Sequence, residues 1–313
     1  MKNEHSIERR PLGKTGIEVS VLCYGCASAW ARDLITDDFA AQLFEQAYSS
    51  GIRFFDTGHS YGKAEERIGA ILKNSSHIKR EDIVLSTKFG TRVLNGKYVH
   101  DTSPDWMKQS VELSLKRMGI DCIDLLYIHG PQAEDFNEPL LSALDDLKRQ
   151  GIIRATGANT FDSSVIRFIR ERGLLDVVML DYNIIQRNRE EEIQALYERG
   201  IGVVAGQAMG ESVFLNDLFK IRSVKDLWYL ARTLGRPSSR ELYLKGRPYR
   251  FLNRIPGYQA SQLALKYVID NPYISAASVG TCTPAHLQSN VEALRVTIPP
   301  DTLDKIKAVK SRA

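Results

Sequence analysis

The sequence contains no apolar run long enough to cross a membrane and too few cysteines for a disulfide framework. No stretch of 18 or more apolar residues occurs among its 313 residues, which argues against a transmembrane helix. Four cysteines in a chain of this length are typical of a reducing compartment. Residues 1–10 are charged and are not followed by the apolar core of a secretory signal. Together these absences predict a cytoplasmic protein.

The sequence also has little net charge, and what it has is unevenly distributed. The formal net charge is +4, which by itself does not favour nucleic acid as a partner. Residues 220–254 contain ten Lys or Arg against two acidic residues, a net +8, which leaves about −4 for the rest. A local positive field of this kind suits a phosphorylated cofactor or an anionic substrate. A solvated basic loop is the alternative, and the sequence leaves both open.

A complete metal-ligand pattern is also missing. Cys23 and Cys26 form a C-x-x-C, but no second such pair and no neighbouring pair of histidines completes a zinc site. Both lie at the end of a predicted strand, where alternation points neighbouring side chains in different directions. We therefore expect neither a metal site nor a redox disulfide there.

Short apolar runs alternate with amphipathic stretches along the whole chain. The runs predict strands at about 21–23, 52–55, 83–87, 122–128, 152–156, 176–180, 201–205 and 274–279. The amphipathic stretches predict helices at about 36–50, 63–73, 103–118, 137–149, 162–172, 189–199 and 257–270, then from 283 and at about 301–311. Eight strand–helix units in a chain of this length favour a closed (β/α)8 barrel, a TIM barrel, over an open sheet.

Two further features frame the predicted barrel. The residues from Arg9 to Val19 predict a small N-terminal β-hairpin that caps one end, and 213–256 predicts a long basic loop after strand seven. Thr283 and Pro284 resemble a helix cap and a first-turn proline. No linker or internal repeat interrupts the chain, so residues 1–313 are expected to form one domain.

Polar side chains follow three consecutive predicted strands, at the end where such barrels carry their chemistry. Asp56 and Tyr61 follow the second strand, Lys88 the third and His129 the fourth. A free tyrosine titrates near 10, so a cationic Lys88 beside Tyr61 is expected to lower that pKa. Asp56 would hold Lys88 in place, and His129 would hydrogen-bond the substrate oxygen or relay a proton. Each residue alone could be a packing residue, but their convergence predicts an acid–base site.

At these positions and others the sequence resembles the aldo-keto reductase family. The motifs are RPLGKTGIEVSVLCYGC at 10–26, GIRFFDTGHSYG at 51–62, LSTKFG at 85–90, LLYIHGPQ at 125–132 and TPAHLQSN at 283–290. The resemblance covers essentially the whole chain. It implies a barrel that binds an extended nicotinamide cofactor and transfers a hydride between that cofactor and a carbonyl or alcohol carbon. It assigns a catalytic tetrad in which Tyr61 donates the proton, with Asp56, Lys88 and His129 as its partners.

The same resemblance implies a set of cofactor contacts along the mouth of the barrel. Asn159 matches the residue that hydrogen-bonds the carboxamide, and residues 206–212 match the segment along the nicotinamide and pyrophosphate. The other matched positions are Gly25, Cys26, Asp56, Met179, Gly206, Gln207, Met209 and Gly210 near the nicotinamide, and Gly280, Thr281, Cys282, His286 and Asn290 at the adenosine end. By position alone, Trp30 is expected to line the substrate pocket with Tyr61 and His129, and Trp106 is a second candidate wall.

The chain departs from the family pattern at several nicotinamide positions. Ala158 stands where the family has Ser, and Met179 stands where it has Gln, with Leu180 as the alternative after a one-residue slip. Gly206 stands where an aromatic side chain stacks on the nicotinamide. Gln207 could restore a lost amide contact. Relative to the family pattern, these departures remove a flat apolar wall and two hydrogen-bonding partners from the nicotinamide site.

Compensation and cofactor choice depend on positions elsewhere. Trp228, Tyr243 or Tyr249 from the basic segment could supply an aromatic wall. His286 occupies the position of a usual basic contact to the 2′-phosphate, and the loss of Arg there weakens the case for strict NADP preference. Ser289 occupies the position of a usual acidic neighbour, and the loss of that carboxylate favours a phosphate or is neutral. The basic segment could supply the missing charge. NADP(H) is therefore favoured and NAD(H) stays open.

Three functions remain open on the sequence. The first is an NAD(P)H-dependent carbonyl reductase or alcohol dehydrogenase, favoured by the complete tetrad. The second is a cofactor-binding regulatory or redox-silent barrel, favoured by the lost nicotinamide contacts. The third is an enzyme that uses the cofactor transiently without net redox change. The expected partner is a small carbonyl or alcohol compound, anionic if the basic segment borders the pocket. No nucleic acid or membrane partner is expected.

Overall fold

Eight parallel strands close into a barrel. The computed structural model describes residues 7–210, 231, 235 and 237–309. Its strands, in chain order, are β1 (Arg9–Pro11), β2 (Glu18–Ser20), β3 (Leu22–Gly25), β4 (Phe54–Asp56), β5 (Val84–Leu94), β6 (Lys97–Asp101), β7 (Ile123–His129), β8 (Ile153–Asn159), β9 (Val177–Asp181), β10 (Gly202–Gly206) and β11 (Ala276–Val279). The barrel order is β4-β3-β11-β10-β9-β8-β7-β5, and β5 pairs back with β4. The predicted (β/α)8 barrel is confirmed.

Helices connect the strands and cover the outside of the barrel. In the described residues they are α1 (Asp37–Ser49), α2 (Ala64–Asn74), α3 (Pro104–Met118), α4 (Glu138–Arg149), α5 (Ser163–Arg172), α6 (Glu190–Glu198), α7 (Pro237–Gly246), α8 (Ala260–Ile269), α9 (Pro284–Glu292) and α10 (Pro300–Ala308). None of the described helices is long and apolar enough to span a membrane. Of the basic loop predicted at 213–256, the structure describes residues 231, 235 and 237–256, which include α7 and a 3-10 helix at Arg247–Arg254.

Local sequence signals explain where several helices begin and end. Ser103 caps α3 by accepting a hydrogen bond from the backbone N–H of Trp106, and the left-handed Gly119 ends it. The expectation of a similar side-chain cap at Thr283 is wrong, since the Thr283 side chain makes no such bond to α9. There the backbone carbonyl of Thr283 accepts from the N–H groups of His286 and Leu287 instead.

The N-terminal hairpin closes the end of the barrel opposite the site. β1 and β2 pair antiparallel, as predicted. Leu12, Ile17 and Val19 are buried and pack with inward-facing side chains of the barrel strands. The turn needs Gly13 because its φ is +57° and a Cβ there would lie 2.4 Å from the backbone N of Gly202. The hairpin is therefore a plug, and it leaves the other end of the barrel for chemistry.

The sequence analysis missed a second hairpin, at the carboxyl end of the third barrel strand. β5 runs on to Leu94, beyond the predicted end at 87, and β6 pairs back antiparallel along residues 90–94. The turn between them is Asn95–Gly96, with φ of 50° and 74°, the pair of left-handed residues that a tight hairpin requires. The Asn-Gly dipeptide between two apolar stretches was the signal that could have found it.

Candidate active site

The parallel strands bring the predicted catalytic side chains to one end of the barrel. Asp56 and His129 are the last residues of β4 and β7. Lys88 lies between them on β5, where the register pairs it with Tyr127 of β7. Tyr61 follows β4 on a short loop that returns to the barrel before α2. The structure thus brings together Asp56, Tyr61, Lys88 and His129.

Lys88 and Asp56 form a buried ion pair. The Lys88 Nζ lies 2.7 and 2.6 Å from the two Asp56 carboxylate oxygens and donates to the Thr57 carbonyl at 2.6 Å. The Ser86 hydroxyl donates to Asp56 Oδ1 at 2.7 Å. Burial alone would lower the pKa of Lys88, but the Asp56 carboxylate and the Tyr61 phenol raise it above its usual value. The ammonium therefore stays charged at neutral pH.

The phenol of Tyr61 lies next to this cation. Lys88 Nζ is 4.9 Å from the centre of the Tyr61 ring. Burial raises the pKa of Tyr61 above its usual value, Lys88 opposes that rise, and Asp56 adds to it. Lys88 therefore lowers this pKa as expected, but the net pKa is raised, because the sequence identifies the neighbouring charge and not the cost of burying a phenolate. The phenol is protonated at neutral pH and can donate.

His129 stands across from Tyr61 as a neutral side chain. The two rings meet edge to face, with centres 5.8 Å apart. Burial and the nearby Lys88 ammonium lower the pKa of His129 to about 4. Its Nδ1 lies 3.3 Å from the Thr91 hydroxyl, on the newly found hairpin. At neutral pH this imidazole is uncharged, so it can orient an oxygen atom by a hydrogen bond but does not act as a cationic acid.

A buried polar cluster behind the tetrad holds the loop that carries Tyr61. Arg117 of α3 donates to Glu65 at 3.1 Å and to the His59 carbonyl at 3.3 Å. Glu65 also accepts from the Thr87 hydroxyl at 2.7 Å, next to Lys88. The backbone N–H of His59 donates to the Lys88 carbonyl at 3.1 Å. Sequence reasoning missed this cluster, whose members come from four separate segments and share no spacing.

Glycines stand at the ends of two strands at the mouth of the barrel, Gly25 on β3 and Gly206 on β10, and Gly280 directly follows β11. Gly25 and Gly280 face each other, and a Cβ on Gly280 would lie 3.2 Å from the Gly25 carbonyl. A Cβ on Gly206 would lie 3.3 Å from Met179 and from the Leu180 carbonyl. The Asn159 side chain, at the end of β8, makes no hydrogen bond with the described residues. The rim at these three glycines therefore carries no side chain, and the Asn159 amide is available to hydrogen-bond a carboxamide.

The other predicted nicotinamide positions differ in how accessible they are. Cys26 and Met179 are buried, and the Met179 side chain packs in the barrel interior. Gln207 is exposed, and its backbone lies in the left-handed region with a φ of 51°. Its backbone carbonyl accepts a hydrogen bond from the Asn183 side chain. Met209 is half-buried and Gly210, which follows it, is buried. Gln207 is thus the member of this group whose side chain is most free to reach a ligand.

The predicted adenosine positions lie along the last strand and α9. Thr281 and Cys282 are half-buried, and the Thr281 carbonyl accepts from the Tyr24 hydroxyl at 2.7 Å. His286 is exposed on the first turn of α9. Asn290 is 7% exposed on α9.

Several aromatic residues expected to form walls lie elsewhere. Trp30 is 1% exposed and its Nε1 donates to the Ala40 carbonyl, so it is a core residue and not a pocket wall. Tyr249 is also in the core. The Tyr243 hydroxyl accepts from Arg250 at 2.7 Å, which occupies both side chains. Trp228 lies outside the described residues.

Comparison with known proteins agrees with this geometry. The model of the aldo/keto reductase family matches residues 21–311. The uncharacterised oxidoreductase YqkF of Bacillus subtilis is 25% identical over 311 residues, which are 97% of this chain and 96% of that protein. The holo form of aldo-keto reductase AKR11C1 from Bacillus halodurans superposes with a TM-score of 0.79 at 25% identity, covering 98% of this chain and 97% of that one. A Pseudomonas aeruginosa protein, PA4992, described as a candidate aldo-keto reductase, is 28% identical with a TM-score of 0.69, over 93% and 96%.

Proposed function

The chain belongs to the aldo-keto reductase family, and on that premise we propose that it reduces small carbonyl compounds with Tyr61 as the proton donor. Family membership makes it an oxidoreductase that uses a nicotinamide cofactor. The observation that supports the finer proposal is the placement of Tyr61 between two partners. Its ring centre lies 4.9 Å from Nζ of the buried Lys88 ammonium, and its ring meets the His129 imidazole edge to face. Burial raises the pKa of the phenol, so it is protonated at neutral pH.

Each member of the tetrad has one task in this proposal. A bound nicotinamide cofactor supplies the hydride that is added to the carbonyl carbon. Tyr61 gives its proton to the carbonyl oxygen, so a C=O group becomes CH–OH, and the phenolate left behind regains a proton from solvent. Lys88 stabilises that phenolate, and Asp56 fixes Lys88 through two short contacts. His129 hydrogen-bonds the carbonyl oxygen and orients it toward Tyr61.

The cofactor is held, in this proposal, by the three glycines at the rim and the free amide described above. Asn159 binds the carboxamide, and the exposed amide of Gln207 adds a second hydrogen bond to it. NADP(H) is proposed over NAD(H) because Ser289 stands where the family has an acidic side chain that would repel a 2′-phosphate, and because the basic residues of 220–254 offer positive charge for that phosphate. Titration of intrinsic tryptophan fluorescence with NADPH and, separately, NADH tests this choice.

Tyr61→Phe tests the role of the phenol. We expect kcat for aldehyde reduction to fall about 10²- to 10⁴-fold, the usual contribution of a general acid, while the Kd for the preferred cofactor stays unchanged. His129→Phe serves as the comparison, because it removes a hydrogen bond and no proton donor. A Tyr61→Phe variant that keeps most of its activity contradicts the assignment. Cofactor binding without turnover of any carbonyl by the wild type would instead favour a redox-silent barrel.

A further inference from the structure

Large apolar side chains are exposed together on the hairpin formed by β5 and β6. Val93 is 50% exposed, Leu94 42%, Tyr98 67% and Val99 40%. A single exposed apolar residue is ordinary, but a group of them on one short element marks a contact surface. The paired part of the hairpin begins at Gly90, two residues after Lys88, so the hairpin directly continues the strand that carries a member of the candidate active site.

The pairing register divides these side chains between two faces. Thr91 pairs with His100 and Val93 with Tyr98, whereas Arg92 pairs with Val99 and Leu94 with Lys97. Successive side chains of a strand point to opposite faces, and directly paired residues share a face. The first face therefore carries Thr91, Val93, Tyr98 and His100, and the second carries Arg92, Leu94, Lys97 and Val99.

Contacts at the base of the hairpin show which way the two faces turn. On the first face, Thr91 lies 3.3 Å from His129, and His100 lies 2.8 Å from Asp135 in the segment after β7. On the second face, the Arg92 guanidinium lies 4.7 Å from the ring centre of Trp106 on α3. The first face thus turns toward the catalytic histidine, and the second turns toward the helical layer.

We propose that Val93 and Tyr98 are specificity-determining residues that receive an apolar, aromatic-sized group carried by the carbonyl substrate. Two residues along a strand span about 6.8 Å, so this pair stands that far beyond Thr91 on the face that contacts His129. A phenyl group three bonds from a carbonyl carbon, as in 4-phenylbutan-2-one, extends over a comparable distance from that carbon. The aromatic ring of Tyr98 supplies the larger contact and Val93 a flat methyl surface beside it. This inference rests on the proposed function and adds the substrate class to it.

The test compares two ketones and two faces of the same hairpin. Butan-2-one and 4-phenylbutan-2-one carry the same carbonyl and differ by one phenyl group. Tyr98→Ala and Val93→Ala remove the proposed wall, and Leu94→Ala and Val99→Ala are matched controls of similar exposure on the opposite face. We measure kcat and KM for both ketones with saturating cofactor, and binding of 4-phenylbutan-2-one to the cofactor-loaded protein by calorimetry.

We expect Tyr98→Ala to raise KM for 4-phenylbutan-2-one about fivefold to tenfold, the order of one aromatic contact, with kcat retained. Butan-2-one kinetics and cofactor affinity should not change. In both control variants, KM for 4-phenylbutan-2-one should stay within about twofold of the wild-type value. The inference is overturned if variants on the two faces raise KM for 4-phenylbutan-2-one equally. It is also overturned if Tyr98→Ala leaves the ratio of the two ketones' KM values unchanged. If the wild type binds 4-phenylbutan-2-one but turns over neither ketone, the proposed function fails. The calorimetric affinities of the wild type and the variants for 4-phenylbutan-2-one then test the roles of Val93 and Tyr98 by themselves.

Discussion

Replacing Lys88 by Met should destabilise the protein far more than replacing a surface lysine in an ion pair of the same length. The Lys88 and Asp56 side chains are 1% and 7% exposed, and their closest N–O distance is 2.6 Å. Lys88→Met leaves the Asp56 carboxylate buried with the Ser86 hydroxyl as its side-chain donor among the described residues. Removal of one member of a buried pair costs about 3–5 kcal/mol.

A matched control is available because Lys63 and Asp33 also meet at 2.6 Å, with side chains 53% and 79% exposed. Solvent screens exposed pairs, so Lys63→Met should change the free energy of unfolding far less than Lys88→Met does. The double variant Asp56→Asn with Lys88→Met removes both charges. It should therefore regain most of the stability lost in Lys88→Met.

Urea unfolding followed by far-UV circular dichroism gives these free energies, with an unchanged m-value as the check that the transition remains comparable. The double variant should be stable and inactive, because the phenolate of Tyr61 would lack its cation. Equal losses in Lys88→Met and Lys63→Met would refute the reasoning from burial. A double variant less stable than Lys88→Met would refute the reasoning from the unpaired charge.

Two further predictions concern pH and packing. The pKa of His129 is about 4 and that of Tyr61 is raised above its usual value, so kcat/KM for carbonyl reduction should be flat from about pH 5 to 9. It should fall at lower pH as the imidazole gains a proton beside Lys88, and at higher pH as the phenol loses its own; a midpoint near 6.5 would contradict a buried neutral imidazole. In the barrel interior, a Cβ on Gly157 would lie 2.7 and 2.8 Å from ring carbons of Tyr127, so Gly157→Ala should lose about 1–3 kcal/mol in thermal unfolding. Adding Tyr127→Leu should recover much of that loss. If it does not, the loss in Gly157→Ala does not come from a clash with the Tyr127 ring.

The sequence was sufficient for the barrel and for the members of the candidate site that follow its strands. Parallel strands end at the same rim, so Asp56, Lys88 and His129 could be grouped without coordinates. The direction of the Tyr61 pKa could not be obtained in that way. It depends on how deeply the phenol is buried, which no spacing of residues records.

Two errors have a common physical origin in polar atoms that find partners inside the protein. Trp30 follows a strand and was expected to face a ligand, but its N–H reaches a backbone carbonyl of α1 and the ring joins the core. The cluster of His59, Glu65 and Arg117 is assembled across helices and a loop. A sequence shows such residues only as scattered polar positions, so long-range polar contacts are what it conceals.

Closure of the barrel has a consequence for the order in which the newly made chain can assemble. The strands that carry Asp56, Lys88 and His129 are all synthesised within the first 129 residues. The seam between β3 and β11, where Leu22 pairs with Ala277, forms only when the last barrel strand is available. Until then the growing sheet has an unpaired β3 edge, which is open to wrong partners. The catalytic groups therefore emerge early from the ribosome, and their common environment is completed late, by a segment that carries none of them.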